Sequence, residues 1–340
     1  MTEEDDQKAK IVLLGAPVFG LLDKLKSHLT HEADIEMVSY EASDEAKKTA
    51  LEGASVLITN RFDDREILPS SLKLLQLPGA GSDEIQLDAI PDHVQVCNVF
   101  EHEPGVAEFV VSSLLQDTLQ HLSEAERLFR GGSWELSGRS GGPAAQELSS
   151  KTLGIVGAGR IGKALAGRAK SFGMKVVAAN RSVVQNVAGL FDHVYKIDEI
   201  SSLLGKSDYV VVCCALTEDT IDLIAEDELR SMKASAYLIN VARGPVVNEA
   251  ALFRALDESW IRGAHIDVWY KYPEGPNDHP RPSNFDFASL ENVRMTPHLA
   301  GWTEELIDRR TSVIASNISL VLSGETPINI IRPCTHASLS

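Results

Sequence analysis

Lys151-Thr152-Leu153-Gly154-Ile155-Val156-Gly157-Ala158-Gly159-Arg160-Ile161-Gly162 is the stretch that decides the fold. Thr152 to Val156 reads as a short buried strand, and Lys163-Ala164-Leu165-Ala166-Gly167-Arg168-Ala169 continues past the glycines as a helix. A G-x-G-x-x-G run alone is weak evidence; between a strand and a helix it describes a phosphate-binding turn. Gly157 permits the tight turn, Gly159 lets the backbone approach a pyrophosphate, and Gly162 lets the helix pack on the strand, so the anion rests on the helix N-terminus. The next strand, Lys175-Val176-Val177-Ala178-Ala179, ends at Asn180, close to the offset of about 20 residues where a ribose-reading side chain is expected.

Further along, Tyr237-Leu238-Ile239-Asn240 is an apolar strand followed by Arg243-Gly244-Pro245. An arginine at a strand's C-terminal end in an open α/β sheet points into the ligand crevice, where its planar donors can grip a carboxylate and an adjacent carbonyl oxygen. His298 lies between Met295-Thr296-Pro297 and Leu299-Ala300-Gly301-Trp302. Hydride addition to a ketone leaves an alkoxide that must be protonated, and an imidazole that titrates near neutrality suits that task. Pro78-Gly79-Ala80-Gly81 adds exposed backbone N–H groups that can hold a carboxylate. Asn180-Arg181-Ser182 bears on cofactor choice. An acidic residue at 180 would repel a ribose phosphate, whereas an amide does not, and Arg181 and Ser182 offer a guanidinium fork and a hydroxyl. NADP is therefore expected, with NAD open because Arg181 can also simply cover the adenine face.

In this order of blocks the chain resembles the D-isomer-specific 2-hydroxyacid dehydrogenase family. The residues that carry the resemblance are Val106-Ala107-Glu108, Lys151 to Gly157, Cys214-Ala215-Leu216-Thr217, Asn240-Val241-Ala242-Arg243-Gly244, Ile266-Asp267-Val268 and Thr296-Pro297-His298, spread over nearly the whole length. The resemblance implies two Rossmann-like or flavodoxin-like α/β domains with parallel sheets and an active-site cleft between them. Residues 1–103 and 304–340 would form a discontinuous substrate domain, and 104–303 the NAD(P)-binding domain. It further implies cofactor contacts from Arg160, Ile161, Cys214, Ala215, Leu216, Thr220, Val241, Ala242 and Ala300, with Asp267 near the nicotinamide, and a homodimer acting on a 2-keto or 2-hydroxy acid.

Composition agrees. The chain has 340 residues, enough for about two domains. Its 32 Lys plus Arg against 49 Asp plus Glu give a net charge of −17, which argues against a nucleic-acid surface. Cys97, Cys213, Cys214 and Cys334 lack metal-ligand spacing, so no metal is expected. Three of them sit in or beside apolar strands, as packing residues of a reducing, cytoplasmic compartment. Neither a secretory signal nor a membrane span is expected. Short apolar runs at Lys10 to Gly15, Ser55 to Asn60, Leu72 to Leu77 and Val94 to Asn98 carry the rhythm of βαβ units. One helix is expected from Pro104 to about Arg130, then a Gly/Ser-rich loop or dimer arm to Pro143, and a last helix over Glu304 to Leu322 before Pro327-Ile328-Asn329-Ile330-Ile331. The proline-bearing segment Tyr270 to Asp286 reads either as a lid or as a stiff surface connection.

Two positions depart from the family pattern. Where relatives place a glutamate that partners the histidine, this chain has Tyr272, followed by Pro273, and where they place an asparagine it has His102. The carboxylate that would stabilise imidazolium is then missing unless Glu274, Glu101 or Glu103 replaces it. Tyr272 and His102 thus join Arg243 and His298 as candidate catalytic residues. A cofactor-sensing corepressor is the alternative from another class, and a formate-oxidising enzyme a more remote one.

Overall fold

Buried runs of Val, Ile and Leu build two separate sheets. The computed structural model describes residues 8–15, 20–65, 67–119, 121–182, 189–273 and 277–334. By their contacts these residues fall into two units: 8–101 and 303–334 with 273 and 277–279, and 102–272 with 280–302. In the first unit β1 (Ala9–Leu14), β2 (Ala33–Val38), β3 (Val56–Thr59), β4 (Leu74–Gln76) and β5 (Gln95–Cys97) run parallel in the order β5-β4-β3-β1-β2. Four of these strands lie in the apolar runs read from sequence. The fifth, β2, carries Asp34 and Glu36, a composition tolerated because it lies at the sheet edge.

The second unit holds β6 (Thr152–Val156), β7 (Lys175–Asn180), β8 (His193–Lys196), β9 (Tyr209–Val212), β10 (Tyr237–Asn240), β11 (Gly263–Ile266) and β12 (Val293–Met295). All are parallel, in the order β12-β11-β10-β9-β6-β7-β8. Successive strand residues face opposite layers: Val156, Val177, Val210 and Leu238 enter one apolar cluster, and Ile155, Val176, Val211 and Ile239 the other. Both faces are covered by helices, and the strands read as continuous apolar runs for that reason. The chain order reverses between β6 and β9, the switch point at which α/β sheets open a crevice for ligands. A last strand, β13 (Ile330–Arg332), pairs antiparallel with β5 in the first unit. Among the described residues no helix is long and apolar enough to cross a membrane.

The helix Glu304–Leu322 forms over the span expected, with the Thr303 side chain accepting from the Leu306 N–H as its cap. The single helix expected from Pro104 to Arg130 is instead two, Glu103–Thr118 and Leu122–Arg130. Thr118 donates its hydroxyl to the Leu115 carbonyl at 3.0 Å, and Leu119 leaves helical geometry at ψ 33°. The first helix packs Val106, Val110 and Leu114 into the core, whereas the second buries nothing and exposes Leu122 and Phe129.

Beneath the second sheet, Asp117 accepts both Arg262 guanidinium arms, at 2.5 and 2.8 Å, and the Tyr209 hydroxyl at 2.7 Å. Its side chain is 8% exposed, and that of Arg262 38%. Removing one partner of a fully buried pair costs about 3–5 kcal/mol, and the partial exposure of Arg262 reduces this to about 2–3 kcal/mol for Asp117→Ala. The urea midpoint should fall accordingly; an unchanged midpoint would contradict this role.

Candidate active site

The glycine turn joins β6 to the helix Arg160–Ser171. Gly157 has φ +107°, and a Cβ there would lie 2.7 Å from the Cys214 N, so the segment after β9 crosses directly over the turn. A Cβ on Gly162 would lie 2.3 Å from the Gly157 carbonyl oxygen, which fixes the close approach of helix to strand. Gly159 differs: a Cβ there would meet nothing within 4 Å. As helix N-cap it offers no side-chain acceptor to the first turn of a 12-residue helix. A helix start with an open backbone approach at Gly159 fits a pyrophosphate.

Asn180 accepts from the Ala158 N–H at 3.2 Å and donates to the Ser182 carbonyl at 2.9 Å, tying the end of β7 to the turn. Arg181 pairs with Asp219 at 3.1 Å, both side chains at least 70% exposed. Such an exposed pair is weak and open to competition by another anion. Burial pushes the Cys214 thiol up to about 11 and the neighbouring Cys213 further, so both stay protonated at neutral pH. Cys213 Sγ donates to the Gly157 carbonyl at 3.2 Å, a packing contact beneath the turn. Thr220 accepts from the Thr217 N–H and donates to the Ala215 carbonyl, closing the loop after β9.

The other candidates leave the C-terminal ends of three neighbouring strands. Asn240, Ile266 and Met295 stand in register at the ends of β10, β11 and β12. Arg243 lies beyond the first, Asp267 and Tyr272 beyond the second, and His298 beyond the third. Asn240 braces the first loop, its amide accepting from the Ala242 N–H at 3.1 Å and donating to the Arg243 carbonyl at 3.1 Å. Half-buried Arg243 donates from Nη1 to the Ala242 carbonyl at 2.9 Å. Gly244 must lack a side chain, because a Cβ there would lie 2.3 Å from the Trp269 carbonyl oxygen.

Asp267 is fully buried, and its carboxylate accepts from the Thr296 hydroxyl, from the Leu299 N–H at 2.8 Å and from the Ala300 N–H at 2.8 Å. Its carbonyl accepts from the His298 N–H at 2.8 Å. These bonds wrap residues 296–300 around Asp267 and hold His298 at φ +58°, a left-handed conformation uncommon outside glycine. On this exposed turn Nδ1 of His298 lies 3.1 Å from the Tyr272 hydroxyl, which also accepts from the Trp269 N–H at 3.0 Å. Of the carboxylates considered as replacements, Glu101 lies against Arg309 at 3.8 Å and Glu103 against Arg160 at 3.7 Å, while Glu274 lies outside the described residues. His102 stands at the N-cap position of the helix Glu103–Thr118, and a Cβ on Gly301 would lie 3.5 Å from His102 Cβ, so the end of the His298 turn packs there.

In the first unit, the Pro78 to Gly81 turn follows β4 and is held by the Val99 N–H on the Gly79 carbonyl and the Asn98 amide on the Ala80 carbonyl. A Cβ on Gly79 would lie 3.9 Å from an Arg310 Nη1, a cation that carries no local sequence signal. Sequence reading also missed a buried chain behind Asp267. His265 meets Ser113 Oγ through Nδ1 at 2.8 Å and Thr296 Oγ1 through Nε2 at 3.2 Å. Ser113 is 152 positions away, too far for any spacing rule.

The family described as D-isomer specific 2-hydroxyacid dehydrogenase, NAD binding domain, matches residues 112–300. A glyoxylate reductase of Thermofilum pendens is 37% identical over 283 residues, 81% of this chain and 80% of its own length. A D-lactate dehydrogenase of Aquifex aeolicus, solved with NAD and lactic acid, matches at TM-score 0.77 and 24% identity over 96% of this chain and 100% of that one. A D-isomer specific 2-hydroxyacid dehydrogenase of Xanthobacter autotrophicus, solved with NADPH and MES, matches at TM-score 0.73 and 24% identity over 96% and 98%. Sheet order and glycine turn together define a doubly wound domain of the dinucleotide-binding class. The chain belongs to the D-isomer-specific 2-hydroxyacid dehydrogenase family and is an NAD(P)-dependent enzyme of that class.

Burial holds the His265 imidazole below its ordinary value, in the neutral state. As pH falls from about 6.5 through the lower folded value, the unfolded chain binds a proton that the folded chain refuses, and stability declines. Between about pH 7 and about pH 5, His265→Asn should therefore lose less of its own urea midpoint than the parent protein. Parallel losses in the two proteins would show that His265 is not the titrating group.

Proposed function

We propose that the protein transfers a hydride between NADP(H) and a 2-keto acid/D-2-hydroxy acid pair, with His298 moving the proton at the substrate oxygen and Arg243 holding the carboxylate and carbonyl. The observation that carries this reading is the grouping of the Arg243 and His298 loops at the ends of neighbouring strands, β10 and β12 flanking β11. A guanidinium fork fixes a planar 2-keto acid through two oxygens, and an imidazole within reach of the ketone oxygen can protonate it as charge develops. The bound nicotinamide supplies or accepts the hydride; the chain supplies orientation and the proton. Glycines 157, 159 and 162 would seat the pyrophosphate, with Arg160, Ile161, Cys214, Ala215, Leu216, Thr220, Val241, Ala242 and Ala300 around the dinucleotide. Pro78 to Gly81 would give the substrate carboxylate further N–H donors.

NADP is favoured because Arg181 is exposed and, among the described residues, pairs with an exposed carboxylate, and because Asn180 sets Ser182 beside it. Glyoxylate is the first substrate to test, since the relatives carry the name glyoxylate reductase. The corepressor and formate readings draw no support from relatives so named. A homodimer in a reducing compartment completes the proposal, for which the apolar side chains Leu122, Phe129 and Trp134 are available on the second unit.

The test is initial-rate kinetics with glyoxylate, hydroxypyruvate, pyruvate and phenylpyruvate under NADPH and NADH. The parent protein should turn over at least one acid and prefer NADPH, a preference that Arg181→Ala reduces by about 1.5–3 kcal/mol. Arg243→Lys keeps charge but loses the fork, so kcat/KM should drop at least ~100-fold with little change in cofactor affinity. Near-parental turnover of Arg243→Lys would remove its proposed role, and equal or better use of NADH would remove the NADP assignment.

A further inference from the structure

We infer that an open cavity at the N-terminal ends of β6, β7 and β8 is a second ligand site, which takes a multiply charged, phosphate-bearing small molecule through Lys175 and Lys206. The cavity measures about 860 Å³. Small-molecule sites span roughly 300–1,000 Å³, and a single inorganic ion would leave most of this volume unfilled. Thr152, Lys175 and His193, the first residues of their strands, lie on its wall. The glycine turn and Asn180 stand at the opposite ends of β6 and β7. With β6 five residues long, the two ends lie roughly 15 Å apart at about 3.3 Å per residue. A ligand in the cavity therefore leaves the dinucleotide turn open.

Charge points to an anion. The chain as a whole carries −17, yet the cavity is lined by three lysines, Lys175, Lys206 and Lys233, against one carboxylate, Asp192. Cations gathered in a concave surface of an acidic protein make a local field of the opposite sign, which concentrates anions there. The carboxylates at this end of the sheet are already engaged. Asp192 accepts from Lys170 at 2.6 Å and from the Val176 N–H at 2.7 Å. These two bonds, with Lys175 acting at longer range, hold its carboxyl below the usual carboxylate range. Asp208 accepts from Lys233 at 2.8 Å and from the Thr152 N–H at 2.8 Å. Lys175 and Lys206 are exposed and form no ion pair among the described residues, so their charges remain for a ligand.

One of these two cations is held in place by a neutral partner. Lys206 Nζ donates to the Tyr195 hydroxyl at 2.8 Å and lies 5.1 Å from the centre of that ring. Tyr195 is buried, and the His193 ring meets it edge-on with centroids 4.2 Å apart. A phenol positions the ammonium without cancelling its charge. The loop that carries Lys206 is itself fixed, because Gly154 in β6 packs against the Ser207 side chain and has no room for a Cβ. Lysine binds phosphate as a point charge, and two such charges on separate elements suit a ligand with more than one anionic group.

Acetylation of lysines, read by mass spectrometry, tests the site in the parent protein without cofactor. Inorganic pyrophosphate should slow the labelling of Lys175 and Lys206 several-fold and leave exposed Lys48, in the first unit, unchanged. Calorimetric titration in saturating NADPH or NADH, which occupies the glycine turn, should still show pyrophosphate binding at low ionic strength. In Lys175→Gln/Lys206→Gln that affinity should fall at least ~10-fold, with dinucleotide affinity unchanged. Replacing pyrophosphate by adenosine diphosphate separates the two sources of the phosphates: tighter binding favours a nucleotide, equal binding the phosphates alone, and both sustain the site. Lys175 and Lys206 left unprotected in the parent overturn the inference, as does an affinity unchanged in the double variant. None of these readouts depends on the reaction assigned to Arg243 and His298.

Discussion

The candidate site depends on one buried anion. Asp267 ends β11 and collects three donors from residues 296–300, so the path of the chain after β12 is set by a carboxylate on the adjacent strand. Hydrogen bonds to a charged acceptor contribute about 1.5–3 kcal/mol each, which offsets the several kcal/mol needed to desolvate it. The surplus holds His298 in a backbone conformation that costs about 1–3 kcal/mol. Strain of this size persists only where the surroundings over-determine it, and here they do.

Rigidity spreads from that carboxylate in two directions. Behind it, Thr296 donates to Asp267 and meets His265, which in turn meets Ser113 on the helix Glu103–Thr118. In front, the Trp269 indole fastens to the Thr296 carbonyl while its backbone fastens Tyr272 and lies against Gly244. Arg243, Tyr272 and His298 are thus mounted on one packed assembly rather than on three independent loops. Placing reactive groups to within fractions of an ångström requires such shared support.

How much of this was legible in sequence follows from the range of each interaction. The glycine turn is local: Gly157 and Gly162 are needed by neighbours within a few residues, and strand and helix periodicities lie on either side. Most strands of the first sheet were legible as apolar runs, whereas β2 was hidden by its edge acids and the end of the helix at Thr118 by an otherwise continuous helical pattern. Arg243 and His298 stood out because each follows an apolar strand with a residue type suited to a ligand. Asp267 was placed beside the nicotinamide by resemblance; that its carboxylate organises the 296–300 turn was not legible, since its partners lie about 30 positions on. The contacts of Tyr272 with His298 and of Arg181 with Asp219 join residues 26 and 38 positions apart, and only the sheet register brings them together.

Amide hydrogen exchange at Leu299 and Ala300 tests most directly whether the Asp267 carboxylate holds the His298 turn. Asp267→Asn keeps the shape and removes the anion, so both amides, protected in the parent, should exchange at least ~10-fold faster in the variant, while those of the central strands β6 and β9 stay protected. Unchanged protection at Leu299 and Ala300 in a folded Asp267→Asn protein would show that the turn, and with it the placement of His298, is set by something other than this carboxylate.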